Sequence, residues 1–393
     1  MKRAAPALEA ALAQLDAAQL RRVRATVEGS RGQALILADG RTLLDFASND
    51  YLGLARHPQL AQAMAECAAS RGAGSGAAHL VCGHGSEHTR LEEELAAFTQ
   101  RERALLFSTG YMANLAVLGT LAGRSEQVLL DRLAHASLID GARLCGATLR
   151  RYPHADAEAA AQLLAQEPAR STLLATDGVF SMDGDLAPLP QLAQAAQTHG
   201  AWLVVDDAHG LGVLGASGRG TLEHFALDAK AVPVLVGTLG KAFGSFGAFV
   251  AGDAALIELL MQKARTYLYT TALPQPVAAA TRAALRLLAA EGWRRERLRA
   301  NIARFRAAAH AAGVALLPSA TPIQPVPLGE AGAALRAQRQ LADLGFWVAA
   351  IRPPTVPPGS ARLRISLSAA HGDHEIDALV AALAGVPAAV QSA

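Results

Sequence analysis

Aromatic residues make up only 5% of this 393-residue chain, and cysteine occurs three times, at Cys67, Cys82 and Cys145. Cysteines so widely spaced fit neither a disulfide framework nor a zinc spacing, so free thiols in a reducing cytoplasm are expected. No uncharged apolar run reaches the length of a membrane span; the best candidates contain Lys241 or Asp253. The start, MKRAAPALEAALAQL, is interrupted by Glu9, with Asp16 next, before any apolar block of the secretory kind. A formal charge of +2, with no basic run interleaved with aromatics, argues against nucleic acid as a partner. A phosphate-cradling P-loop is missing too. Around Lys241 it would need Gly at 235 and Ser or Thr at 242, where the chain has Leu235 and Ala242. No internal repeat or low-complexity segment appears beyond an alanine bias.

What remains is a chain long enough for a large domain and a smaller one, with 18% charged residues, as suits a helix-rich α/β enzyme. Leu8, Leu12 and Leu15 recur at helical spacing and predict an amphipathic helix continuing through Arg21, Arg22 and Arg24. From the residues alone, those arginines read as a solvated helix end. Residues 42–46 read as a short strand and 48–51 as a turn. Residues 71–86, RGAGSGAAHLVCGHGS, form a loop long enough to be functional, before a helix with Leu91, Leu95 and Phe98 on one face.

Short apolar runs at 104–107, 128–130, 149–152, 172–175, 202–205 and 232–236 then alternate with helix-length segments. That rhythm predicts a mostly parallel sheet covered on both faces, with ligands bound beyond the carboxyl ends of its strands. Gly110, His135, Ser181, Asp206, His209 and Lys241 all follow such strands. After Pro274 come long helices, one over 293–312, then an α+β section with strands at 323–328, 346–351 and 362–368. The Pro-rich segment 352–359 is expected to be extended. The expected division is a helical arm over 1–48, a large α/β domain over 49–276 and a small α+β domain over 277–393.

The chemistry centres on Lys241, alone among apolar and glycine residues in VPVLVGTLGKAFGSFGAFVAG (232–252). Desolvation disfavours an ammonium, and a partly neutral lysine can form a Schiff base with a carbonyl. A loop lysine reaching water is the competing reading. A pyridine aldehyde cofactor would need a carboxylate at its ring nitrogen, and Asp206 ends the apolar run WLVV. As a helix cap or turn former Asp206 would be equally ordinary. His209 offers a donor to a ring oxygen, or is simply a satisfied loop histidine. Ser108-Thr109-Gly110-Tyr111 puts a glycine at a helix start, where backbone amides bind phosphate; Thr238 adds a hydroxyl, and His135 can lie flat on the ring. No metal is expected: HGSEH, from His84 to His88, lacks the HExxH order and a third ligand nearby.

Taken together, NDYLGL (49–54), DRLAHASLIDGA (131–142), GVFSMDGD (178–185), VDDAHGLGVLG (205–215), GTLGKAFG (237–244) and AIRPPTVPPGSARLRISLSAAH (350–371) closely resemble the α-oxoamine synthases, which are fold-type I pyridoxal-phosphate enzymes. The resemblance runs from about residue 21 to 371. It implies a large, mostly parallel sheet domain covered by helices plus a smaller α+β carboxyl-terminal domain. It also implies pyridoxal 5'-phosphate held by Lys241, with Asp206 at the pyridine nitrogen and His135 stacked on the ring; these three are the implied catalytic set. Ser181 and His209 match contacts to the ring oxygen, and Gly110, Tyr111 and Thr238 the phosphate ligands. Thr270 and Thr271 match residues that reach the phosphate from a second subunit, which implies a homodimer with shared sites. Arg364 matches the residue that holds the amino-acid carboxylate, and Asn49, Thr355 and Arg21 match substrate-side positions. Asp177 stands where some relatives have Glu.

The implied reaction is a decarboxylative condensation of L-alanine with pimeloyl-CoA or a pimeloyl-carrier protein, as in biotin synthesis. The same chemistry on glycine and acetyl-CoA, as in 2-amino-3-ketobutyrate CoA ligase, is the nearest alternative. A non-catalytic small-molecule-binding protein of the same fold is another.

Overall fold

The computed structural model describes residues 5–168 and 170–386. Their contacts divide them into two units. One comprises the residues up to 48, 182–184 and those from 297 onward; the other comprises 49–181 and 185–296.

The first unit begins with α1 (Ala5–Ala17), followed by β1 (Val27–Arg31), β2 (Ala34–Leu37) and β3 (Thr42–Asp45). The helix is shorter than its leucine spacing predicts. Gln19 takes a left-handed φ of 57°, and the Leu20 amide turns back to the Leu15 carbonyl at 2.8 Å, which closes the last turn. Arg21, Arg22 and Arg24 therefore lie beyond the helix, and Leu8, Leu12 and Leu15 are exposed.

The second unit holds the large sheet. Its elements run α2 (Pro58–Arg71), a π-helical turn (His79–Gly83), α3 (Ser86–Thr99), β4 (Arg103–Phe107), α4 (Gly110–Leu121), β5 (Gln127–Asp131), α5 (Ala136–Leu144) and β6 (Thr148–Tyr152). They continue with α6 (Ala157–Gln166), β7 (Thr172–Asp177), α7 (Leu189–Thr198), β8 (Trp202–Asp206), α8 (Thr221–His224), β9 (Val234–Thr238) and β10 (Ala248–Gly252). The helices α9 (Ala254–Lys263), α10 (Arg265–Leu268) and α11 (Gln275–Ala290) complete it. Strand order is β4-β10-β9-β8-β7-β5-β6, and β10 alone runs against its two neighbours, β4 and β9.

Every strand expected in this unit is present. Their near-continuous apolar runs follow from burial on both faces. Val128, Leu130, Val204, Val234 and Val236 pack on one side with Ala113 and Val117 of α4 and Ile257 of α9. Leu129, Leu203, Val205 and Leu235 face the other side, against Leu164 of α6 and Leu192 of α7.

The first unit resumes with α12 (Trp293–Ala311) from Arg297 on, then β11 (Ile323–Gly329), α13 (Ala331–Asp343), β12 (Phe346–Trp347), β13 (Ala349–Ile351), β14 (Ala361–Ser366) and α14 (Asp373–Ala384). Strand β12 joins β3 in parallel, and β11, β14 and β13 form a separate antiparallel sheet. Residues 352–359 fold as successive turns rather than an extended segment, the Thr355 amide donating to the Arg352 carbonyl at 3.1 Å. The fixed φ of proline suits a turn as well as a strand.

Candidate active site

The parallel strands β5, β7, β8 and β9 all end at one edge of the sheet, and the residues just past them converge there. Backbone bonds tie these ends together: the Gly178 amide donates to the Asp206 carbonyl at 2.7 Å, and the Asp207 amide to the Val236 carbonyl at 2.9 Å. Lys241 lies in the connection between β9 and the antiparallel β10. There the Leu239 amide meets the Gly247 carbonyl at 2.8 Å, and the Gly244 amide meets the Lys241 carbonyl at 2.8 Å. Thr238 closes the base of this loop, its hydroxyl donating to the Gly247 carbonyl at 3.1 Å.

Lys241 is half-buried and its Nζ lies 2.7 Å from His209 Nε2. The other His209 nitrogen, Nδ1, lies 2.7 Å from the hydroxyl of the fully buried Tyr51, which also reaches Asn49 Oδ1 at 3.1 Å. Asp206, at the end of β8, accepts from Asn114 Nδ2 of α4 at 2.6 Å and from the Ala208 amide at 3.1 Å. Asn114 also donates to Ser137 Oγ at 2.8 Å, and Ser137 Oγ lies 2.7 Å from His135 Nδ1. One hydrogen-bonded path therefore runs from Asp206 to His135 and another from Lys241 to Asn49.

His135 caps the start of α5 and is exposed. Desolvation nonetheless lowers its pKa; the Asp206 charge opposes the shift and Lys241 adds to it. Asp177 holds the His135 amide at 2.9 Å, so its contact is with the histidine's backbone. Burial, and then the Asp206 charge, push the Asp177 carboxyl well above the usual carboxylate range. The adjacent Asp207 is different in kind. It is fully buried, accepts from the Thr221 amide at 2.7 Å, and is raised by burial to about 8. Gly178, Gly210 and Gly220 crowd its carboxylate, where an added Cβ would lie 2.7, 2.1 and 1.8 Å from its oxygens.

Thr109 caps α4, taking the Met112 amide at 3.2 Å. The first-turn amides of any helix lack intrahelical acceptors, so the Gly110–Tyr111 start offers backbone donors of the kind that suit an anion. A Cβ on Gly110 would meet nothing within 4 Å, so open space lies before it. Tyr111 is exposed and its hydroxyl donates to Asp140. Ser181 is half-buried beyond β7; Thr270 and the exposed Thr271 follow α10, the Thr270 hydroxyl donating to the Thr266 carbonyl at 2.7 Å.

In the other unit, Arg364 is buried on β14, with Nη1 3.0 Å from Ser366 Oγ. Thr355 accepts from Arg22 at 3.3 Å, and Arg21 pairs with Asp16 at 2.7 Å.

Two further histidine sites lie in the sheet unit. His154 stands between Asp131, at 3.0 Å, and Asp185, at 2.8 Å. Burial alone would lower its pKa, but the two carboxylates outweigh it and raise the ring to about 10. The resulting imidazolium bridges the segments that lead into His135 and out of Ser181. Contrary to the expectation that no third imidazole lies near His84 and His88, the π-helical turn brings His79 against them. Ring centroids are separated by 5.0–5.3 Å, and His79 Nδ1 is 2.8 Å from His84 Nδ1. Both His88 nitrogens are engaged by backbone, accepting from the Gly85 amide at 2.9 Å and donating to the Leu273 carbonyl at 2.5 Å. His84 Nε2 meets Thr89 Oγ1 at 3.1 Å.

Tyr51, Asn114 and Ser137 are the members of these networks that residue-type reasoning missed. Tyr51 lay inside NDYLGL, and Asn114 is one helical turn past Gly110. The donor set fits pyridoxal phosphate: an amine for its aldehyde, a carboxylate for its ring nitrogen, a helix start for its phosphate and an imidazole for its ring face.

Comparisons agree with that chemistry. The family model for class I and II aminotransferases matches residues 41–383. An 8-amino-7-oxononanoate synthase of Methylococcus capsulatus is 59% identical over 374 residues, covering 95% of this chain and 96% of that protein. A solved 8-amino-7-oxononanoate synthase from Francisella tularensis is 34% identical with a TM-score of 0.76, covering 87% of this chain and 97% of that one. A serine palmitoyltransferase from S. paucimobilis, with a bound PLP–myriocin aldimine, is 30% identical with a TM-score of 0.91, covering 97% and 96%.

Proposed function

The chain belongs to the class I and II aminotransferase family, among the 8-amino-7-oxononanoate synthases, and from that membership we propose how its residues divide the work of condensing L-alanine with a pimeloyl thioester. Pyridoxal phosphate, when bound, supplies the electron sink for the amino acid's α-carbanion. Lys241 anchors the cofactor, and its Nζ takes the Cα proton of alanine. Asp206, fixed by Asn114 and the Ala208 amide, holds a proton on the ring nitrogen. The Gly110 and Tyr111 amides, with Thr238, bind the phosphate.

His135 covers the ring face and orients the thioester carbonyl, while Ser181 and His209 serve the ring oxygen. Arg364 takes the alanine carboxylate in a fork. Asn49, Thr355 and Arg21 contact the acyl donor, either pimeloyl-CoA or a pimeloyl-carrier protein. Thr270 and Thr271 serve the phosphate of a second copy, so the working unit is a homodimer. Among the described residues no helix is long and apolar enough to cross a membrane.

The observation that best supports this reading is the contact of Lys241 Nζ with His209 Nε2 at 2.7 Å, three residues past Asp206. The test is turnover of the PLP-loaded protein with alanine or glycine, each with pimeloyl-CoA or acetyl-CoA. Alanine with pimeloyl-CoA should give the highest kcat/KM. A pocket selects for one methyl by about 1–3 kcal/mol, roughly 10- to 200-fold. Faster turnover of glycine with acetyl-CoA would replace the reading with that of a 2-amino-3-ketobutyrate ligase.

A further inference from the structure

We propose that Ser137 is a positioning residue: its hydroxyl, turned by Asn114, holds Nδ1 of His135 as an acceptor and so puts the imidazole proton on Nε2, the nitrogen left to meet the thioester carbonyl. This rests on the reading of His135 as the group that orients that carbonyl. Asp206 sets the direction of the chain of bonds. A carboxylate only accepts, so Asn114 must turn its amino group, and not its carbonyl oxygen, toward Asp206 Oδ2 at 2.6 Å. Asn114 Oδ1 is buried and accepts from nothing among the described residues, so no other contact competes for the orientation of the amide. The second amino hydrogen goes to Ser137 Oγ at 2.8 Å, which leaves the serine one hydrogen to give. It is given to His135 Nδ1 at 2.7 Å, and the Ser137 amide points at the same nitrogen at 3.3 Å. A nitrogen facing two donors presents its lone pair. Desolvation favours the neutral ring, so the one ring proton sits on Nε2.

The packing leaves these groups little freedom. Asn114 and Ser137 are fully buried where α4 and α5 pack together. Gly141, one helical turn past Ser137, lets the two helices approach. A Cβ there would lie 3.0 Å from Leu118 Cδ1 and 3.3 Å from the Asn114 carbonyl oxygen. The backbone that carries the imidazole is fixed at both of its polar groups. Its amide donates to Asp177 at 2.9 Å, and its carbonyl accepts from the Leu138 amide at 3.0 Å. Among the described residues no group hydrogen-bonds His135 Nε2, and the residue is exposed. Without the serine hydroxyl, the second Asn114 hydrogen is buried with no acceptor and Nδ1 loses its nearer donor.

The test is Ser137→Ala in the full-length protein labelled with 15N-histidine, at about pH 8, above the ordinary histidine range. The His135 signal is assigned by its loss in His135→Asn. Wild-type His135 should carry its proton on Nε2 alone, and Ser137→Ala should populate the tautomer protonated on Nδ1. In the PLP-loaded variant kcat with alanine and pimeloyl-CoA should fall about tenfold. The alanine concentration that half-saturates the change in cofactor absorbance should stay within about twofold, as for a group that acts on the acyl donor rather than on the amino acid. A side chain that only filled space would leave the tautomer alone.

A wild-type ring protonated on Nδ1 overturns the proposal whether or not the variant folds. So does an unchanged tautomer in Ser137→Ala, a changed tautomer with wild-type kcat, or an alanine titration weakened as much as kcat. The tautomers are read without substrate. The expected pair of tautomers in a protein that condenses no alanine with pimeloyl-CoA would therefore sink the functional reading and support the role of Ser137.

Discussion

The sheet unit contains two clusters of imidazoles, and they have opposite electrostatic character. At the carboxyl edge of the sheet, His209 shares a hydrogen bond with Lys241, and His135 feels the charges of Asp206 and Lys241. Around the π-helical turn, His79, His84 and His88 contact one another, Thr89 and backbone groups. Burial, and for His79 and His88 also the neighbouring imidazoles, push all three pKa values down, His79 to about 3. Here the hydrogen bonds go to imidazoles, Thr89 and backbone groups, and the Glu92 carboxylate lies 4.0 Å from His84 Nε2. Burial outweighs the nearby charge, so the rings serve as packing with hydrogen bonds. A histidine coupled to an amine and a carboxylate can respond to proton movement.

The sharpest contrast comes from Lys241→Ala, which should abolish condensation, a loss beyond about ten-thousandfold, because it removes both the covalent anchor and the base. Asp206→Asn should follow, costing about a hundred- to a thousandfold in kcat through loss of a preorganised charge. Both are read in a steady-state assay of thiol release.

A smaller effect belongs to His154, the charged imidazole between Asp131 and Asp185. Its folded pKa of about 10 lies above the ordinary 6.5, so its stabilisation is complete below pH 6.5 and is lost as pH rises through 10. Urea melts of His154→Gln should show a deficit of about 1–3 kcal/mol near neutrality that shrinks steadily on the alkaline side. A deficit that does not change with pH would mean that the ring is not charged.

The smallest effect on catalysis is expected in the neutral cluster. His84→Gln should leave kcat within about twofold of wild type. The lowered pKa of His79 gives the opposite pH dependence, with stability present above pH 6.5 and lost as pH falls toward 3. His79→Gln should therefore soften acid unfolding in that window.

Much of the fold was legible because strands buried on both faces announce themselves as short apolar runs, and the residues that follow them fall on one edge. Lys241, Asp206, His135 and Gly110 were located that way. What escaped were features that depend on distant chain segments or on backbone geometry. Tyr51 meets His209 across 158 positions of sequence, which no periodicity records. The close of α1 depends on a glutamine in left-handed conformation, where a glycine would have signalled the stop. His79 reached the other two imidazoles through a π-helical turn that the Gly- and Ser-rich loop did not reveal. Strand β10 was visible as an apolar run after Lys241, but its reversal was not.

The most direct measurement is the absorbance spectrum of the purified protein with pyridoxal phosphate, titrated first with alanine and then with pimeloyl-CoA. The account predicts a visible cofactor band that changes at each addition and does not form on Lys241→Ala. A protein that stays colourless, or a band equally present in the variant and indifferent to alanine, would contradict the claim that the Lys241 amine carries the chemistry.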